Sequence, residues 1–260
     1  KKESGWYKGD LHVFSSYGEG KESVKDLVRR AEKSGIDFMA ITDRNTLASM
    51  KDPDYVSEKI ALIPAMACGS DEKGVALILG PATLPDAPST VAAAQAACLR
   101  VQAQGGLFAI AHPCFPTSSW QWGIRYINAV EVWCRGWRTS PPVYLEQLPE
   151  AVKIRKEGKL VNSIAVAAGM VKYGDLSANA QAAAFWDNEL NNGLMAAAVG
   201  GSASGSKKIP LGSPMTVVHA RDLSPAGIIE GLRMGQTYLT SGVDGPELMF
   251  SADVLNDGKM

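Results

Sequence analysis

Histidine is scarce in this chain: His12, His112 and His219 are the only three in 260 residues. Two of them close apolar, strand-like runs. His12 follows Tyr7-Lys8-Gly9-Asp10-Leu11, and His112 follows Leu107-Phe108-Ala109-Ile110-Ala111. Asp43 and Arg44, Cys68 and Glu131 fall at the ends of similar runs. Imidazole and thiolate suit zinc, and carboxylates complete such a set. His12, His112, Asp43 and Cys68 are groups of these types. A plainer reading stands beside each residue. His12 reads equally as a satisfied core histidine, and His112, ahead of Pro113, as a donor to a carbonyl. Asp43 can serve a turn or pair with Arg44 or Asn45. Glu131 can act as counter-ion to Arg44. The cysteines Cys68, Cys98, Cys114 and Cys134 fit neither a zinc-finger spacing nor a disulfide scaffold, and buried free thiols are the default.

The elements that position these groups follow from hydrophobic periodicity. Strands are expected at Tyr7 to Phe14, Ile36 to Ile41, Ile60 to Met66, Val75 to Leu79, Leu107 to Ala111, Ala129 to Val132, Met195 to Val199, Gln236 to Thr240 and Leu248 to Ala252. Helices are expected at Val24 to Lys33 (capped by Ser23, ended by Gly35), Ser89 to Gln104, Pro142 to Glu157, Ser177 to Asn192 and Pro225 to Met234. Strands alternating with helices predict an α/β fold with a largely parallel sheet. In such a barrel the working groups sit at the C-terminal ends of strands, which selects His12, Phe14, Asp43, Arg44, Cys68, His112, Glu131 and the loop from Gly200 to Ser206.

Composition excludes several classes. Lys plus Arg is 26 against 27 for Asp plus Glu, a net charge of -1, so no basic face for nucleic acid is expected. No apolar run reaches the length of a membrane span. The polar start Lys1-Lys2-Glu3-Ser4-Gly5 reads as a linker or a trimmed end, so the chain can be cut from a longer one, and both a cytoplasmic and an exported origin stay open. Residues 1–260 read as one domain, with about 225–260 as its C-terminal extension. The Gly200 to Gly205 loop has no Walker lysine in register, and no Gly-x-Ser-x-Gly elbow is present. Trp120, Trp122, Trp133 and Trp137 are dense between His112 and Pro141, as core or lid packing or as the aromatic wall of a pocket.

Six segments, in order, resemble the PHP (polymerase and histidinol phosphatase) superfamily, in its carbaryl-hydrolase-like and phosphoesterase branch. They are Trp6 to Phe14, Tyr17 to Gly20, Phe38 to Asn45, Ala109-Ile110-Ala111-His112-Pro113, Ala129-Val130-Glu131-Val132-Trp133, and Phe185-Trp186-Asp187 leading to Val199 through Gly205. The resemblance implies a distorted (β/α)7 barrel and a hydrolytic centre of two or three divalent metals. It implies that His12, Glu19, Asp43 and His112 are remnant metal positions, and that Asp10 and Glu131 line the pocket. It equally implies that ligands are replaced at Phe14, Arg44, Cys68, Val75, Ala203 and Gly205.

A PHP-like protein with its multinuclear centre lost, and so catalytically silent, is the leading expectation. No cofactor is expected beyond at most one divalent metal, zinc. With the metals gone, Arg44, with His12 and His112 beside it, offers an anion site, making an anionic small molecule the expected partner. The alternatives are a divergent hydrolase that keeps one zinc on the surviving family positions His12, His112 and Asp43, with Cys68 as a further donor, and a structural or interaction domain of a larger exported protein.

Overall fold

The apolar run around His12 becomes β1 (Gly5–Val13), the middle strand of a five-stranded sheet ordered β10-β9-β1-β2-β3. The computed structural model describes residues 3–80, 83, 88–115, 117–134 and 178–249. Its first sheet is completed by β2 (Phe38–Ile41), β3 (Ala61–Ile63), β9 (Met215–Ala220) and β10 (Thr237–Thr240). A second sheet runs β4 (Ala65–Ser70), β5 (Gly74–Leu79), β6 (Leu107–Ile110), β7 (Ala129–Cys134), β8 (Ala197–Gly201). Four α-helices accompany them among the described residues: α1 (Val24–Ser34), α2 (Val91–Ala103), α3 (Ala178–Asn191) and α4 (Pro225–Arg233). The helix expected at Pro142 to Glu157, and Trp137, lie outside the described residues.

The sheets are mixed, which corrects the expectation of a largely parallel arrangement. The pairs β1–β2, β2–β3, β6–β7 and β7–β8 are parallel, whereas β1–β9, β9–β10, β4–β5 and β5–β6 are antiparallel. The turn Asp71-Glu72-Lys73 is too short for a crossover helix, so β4 and β5 can only form a hairpin. The single strand expected from Ile60 to Met66 is two, because Pro64 has no N–H to give a ladder and the chain changes sheets there. Strand β9 was not anticipated: Pro210, Gly212 and Pro214 punctuate the sequence just before its short apolar run. Leu248 and Met249 are not in a strand, and the rest of that expected segment lies outside the described residues.

Two parallel bridges, Val13 with Ser204 and Arg44 with Ala67, join the first sheet to the second at both flanks. Between the sheets sits an apolar core that includes Tyr7, Leu11, Phe38, Ala40, Ala67, Val75, Leu77, Ala109, Ala129 and Val199. Outside the first sheet, α1 lays Val24, Leu27, Val28 and Ala31 on Val13, Met39 and Ile41. Ser23 starts that helix by accepting from the Asp26 N–H, and Gly35 ends it at φ +80°. Each fully buried aliphatic side chain of this layer contributes roughly 1.5–3 kcal/mol, so Leu27→Ala would open the α1 interface. The small residues Ala94 and Cys98 let α2 approach Ile78, Phe108 and Ile110, and Trp120 and Trp122 are buried in the same cluster as packing.

Candidate functional site: a buried donor group on strands β1 and β7

Two irregularities in the sheets build the site. On β1, Asp10 pairs with Met39 and Val13 with Ile41, three steps against two on β2. On β7, Glu131 pairs with Val199 and Trp133 with Gly200, two steps against one on β8. Each extra residue is a bulge that resets the alternation of faces. The first brings His12 against the interior, where its ring meets Phe14 at 5.0 Å and stacks on His112 at 5.9 Å. The second lets Cys134, three residues after Glu131, share the face of Glu131. Strand β8 can lie this close only because Gly201 has no side chain: a Cβ there would stand 2.4 Å from His12 Cβ.

His12 Nδ1 is hydrogen-bonded to Glu131 Oε1 at 2.8 Å, and the His112 N–H donates to Glu131 Oε2 at 3.1 Å. Donor atoms of His12, Glu131 and Cys134 lie within 4.8 Å of one another, and all three residues are buried. That is an N, O and S set of the kind zinc takes. Burial pulls the His12 imidazole down, but the Glu131 charge and hydrogen bond outweigh it and hold its pKa above the ordinary value. His112 goes the other way. Burial, then the neighbouring His12, drives it well below the usual histidine range, so it stays a neutral imidazole beside Ser118, whose Oγ is 3.4 Å from Nδ1. Its backbone has φ +32°, a strained conformation of the kind found where a chain is held around a site.

The expected residues scatter around this group. Asp43 is consumed by Ser15: Oδ1 accepts from the Ser15 N–H at 2.7 Å and Oδ2 from its hydroxyl at 2.5 Å. It is the partner of neither Arg44 nor Asn45, whose amide instead clamps Gly69. Asp10 is fully buried on β1. Its ladder partner Met39 packs in the α1 layer, and its carboxylate accepts from the Ser202 hydroxyl at 2.5 Å, from the N–H groups of Ser202 and Gly212 at 3.0 and 2.8 Å, and from the His12 N–H at 3.2 Å. Asp10 thereby pins the Gly200 loop, and burial raises its pKa against those four donors. Cys68 faces outward into the Met66, Ala76 and Ile78 cluster, while its neighbour Ala67 faces the inner core. Val75 lies in the inner core. Ala203 has φ +50°, and Gly205 lies against Gly20 and Phe14. Arg44 pairs with Glu19 at 2.8 Å and Asp71 at 2.6 Å, not with Glu131. Its charge is therefore already compensated, which takes away the ground for the expected anion site. All four cysteines are buried thiols outside any disulfide.

The residue that sequence reasoning missed is Cys134. Residues i and i+3 of a regular strand face opposite sides, and nothing in the local sequence announces the bulge that reverses this.

No family model matches the chain, and no curated protein does. Solved structures do match. A two-domain protein containing a predicted PHP-like metal-dependent phosphoesterase from Bacteroides vulgatus aligns over 92% of this chain and 66% of its own, with TM-score 0.56 and 16% identity. PsfC from Pseudomonas syringae aligns over 90% of this chain and 91% of its own, with TM-score 0.56 and 14% identity. The lesion-specific endonuclease Endonuclease Q from Pyrococcus furiosus aligns over 91% of this chain and 58% of its own, with TM-score 0.53 and 12% identity. This chain thus spans less than two thirds of the length of the first and third. The chain shares its fold with these solved structures, the first of which contains a predicted PHP-like metal-dependent phosphoesterase. No helix among the described residues is long and apolar enough to cross a membrane.

Proposed function

We propose that this chain is a PHP-type barrel in which the multinuclear hydrolytic centre has been dismantled and one transition-metal site remains, held by His12, Glu131 and Cys134. The observation that carries the reading is the convergence of those three buried donors within 4.8 Å. Zinc suits the set: it takes imidazole, carboxylate and thiolate without a redox change, and when bound it would supply a Lewis-acidic, positively charged anchor. The donors are sealed. His12, Glu131 and Cys134 are each 1% exposed and His112 is 7% exposed. Three protein donors leave one zinc position unfilled, but the burial of all three keeps substrate from it, so the reading is a catalytically silent protein. The reading of silence draws further on the engagement of Asp43 with Ser15 and of Arg44 with Glu19 and Asp71, which leaves no second cluster of metal donors among the described residues.

The strand order joined through the Val13–Ser204 and Arg44–Ala67 bridges supports closure of β1, β2, β4, β5, β6, β7 and β8 as a distorted seven-stranded barrel. In this reading 1–260 is one unit with about 225–260 as its C-terminal extension, of which β10 extends the sheet beside β9. The test is a panel of phosphomonoesters, phosphodiesters and aryl esters run on zinc-loaded protein. No turnover is expected, and turnover that is lost in His12→Ala would contradict silence.

A further inference from the structure

The metal-site reading raises the question of what aims the Cys134 thiol and what that sulfur does. Cys134 is the last residue of β7, beyond the bulge, opposite Gly201 of β8. On its other side stands the side chain of Asn179, in the first turn of α3. The Cys134 N–H donates to Asn179 Oδ1 at 2.9 Å, and the Cys134 carbonyl accepts from Asn179 Nδ2 at 3.0 Å. One amide side chain thus serves both main-chain groups of Cys134, as a neighbouring strand would. Only one orientation of the amide satisfies both bonds. With Gly201 on one side and Asn179 on the other, the main chain of Cys134 is held in place, and its Cα–Cβ bond sets out from a fixed point beside Glu131 and His12. The described thiols Cys68, Cys98 and Cys114 lie in the outer apolar cluster.

We infer, building on the single-metal reading, that Asn179 is the positioning residue for Cys134 and that this pair sets which cations the site accepts. An imidazole and a carboxylate alone accept many divalent ions. A thiolate fixed as the third donor selects borderline and soft ions, zinc and cobalt(II), over magnesium and manganese(II), which prefer oxygen. The thiol must lose its proton to bind, so loading releases a proton and favours the ion that best stabilises sulfur anion. A thiol swung away would leave an unselective two-donor site.

The experiment is titration of metal-free protein with cobalt(II), read as the sulfur-to-cobalt charge-transfer absorption in the near ultraviolet, with competition by zinc, manganese and magnesium. Native protein is expected to show the band, to lose it to stoichiometric zinc and to keep it in excess manganese or magnesium. Cys134→Ser should abolish the band and narrow the preference for zinc over manganese. Asn179→Ala should weaken zinc binding by roughly 10–100-fold, the usual effect of losing the group that orients a ligand, and diminish the band. Asn179→Asp keeps the acceptor for the Cys134 N–H, loses the donor, and should fall between. Circular dichroism of each variant separates misfolding from mispositioning. The inference is overturned if folded Asn179→Ala or Asn179→Asp matches native protein in band and zinc affinity, or if native protein prefers manganese. If native protein binds none of the four ions, the single-metal reading itself fails, and this inference with it.

Discussion

His12 Nδ1 and Glu131 Oε1 are 2.8 Å apart in the interior, with each residue only 1% exposed. They come from strands 119 residues apart in sequence. Two charged or charge-sharing groups this deep are tolerated only because each supplies what the other needs: the imidazole a proton, the carboxylate an acceptor. Glu131 also takes the His112 N–H, so it ties both retained histidines to one anion. A bound ion would replace the shared proton with a stronger charge.

Breaking this pair in the metal-free protein leaves a buried group without its partner. Glu131→Ala is expected to cost about 3–5 kcal/mol of stability, and Glu131→Gln less, because it keeps one acceptor for the His112 N–H. Urea denaturation of metal-free samples measures both. Equal, small losses would mean that water fills the site.

The fold was legible in the sequence to a greater degree than the site. Composition and end signals located α1, α2, α3 and α4 to within a residue or two; Ser23 does cap α1 by a hydrogen bond and its buried face matches the apolar stripe, while Thr90 and Ser224 cap α2 and α4 without having been singled out. The apolar runs located most strands. Sheet direction was not legible: hairpin geometry at Asp71 to Lys73 and the antiparallel addition of β9 depend on partners far away in sequence. In the candidate site, His12, His112 and Glu131 had been singled out by their strand-end positions. Cys134 was treated as one more buried thiol, and Cys68 was given a place facing the pocket that belongs to Ala67, because a bulge or a one-residue offset inverts the face of everything after it.

Gly201 is under steric control by β1. A methyl group at this position would meet His12 Cβ at 2.4 Å and the His12 nitrogen at 2.9 Å, and the backbone atom cannot move aside cheaply. Gly201→Ala is therefore expected to lower the melting temperature by several degrees, on the order of 1–3 kcal/mol, and to weaken zinc binding by displacing His12. Differential scanning calorimetry with and without zinc reads both effects. An unchanged melting temperature would place β8 further from β1 than described here.

Arg44 is half-buried between Glu19 and Asp71, both exposed. Pairs of this kind contribute at most about 1 kcal/mol each. Arg44→Ala should cost little stability, and native protein and Arg44→Ala should both give no heat with phosphate or sulfate in calorimetry. Oxyanion binding lost in Arg44→Ala would restore the anion site that the ion pairs argue against.

Alkaline sensitivity should trace to Cys98. Burial, partly offset by a hydrogen bond from Gln102, pushes its thiol up to about 11. A thiol of the unfolded chain titrates near 8.5. The folded state therefore holds the proton more tightly, so this contribution is complete below about pH 8.5 and is lost as pH rises toward 11. The loss is on the order of 3 kcal/mol at most, from about 1.4 kcal/mol per pKa unit. Urea midpoints between about pH 8 and pH 11 should fall in native protein and fall less in Cys98→Ala. Parallel curves would assign the alkaline loss to other groups.

The central claim is one buried ion on His12, Glu131 and Cys134, and metal stoichiometry tests it most directly. Protein stripped with chelator, reloaded with zinc and desalted is measured by elemental analysis beside His12→Ala and Cys134→Ser. The account predicts close to one zinc per native chain and well under one in each variant. Two or more ions per native chain, or an undiminished single ion in both variants, would contradict it.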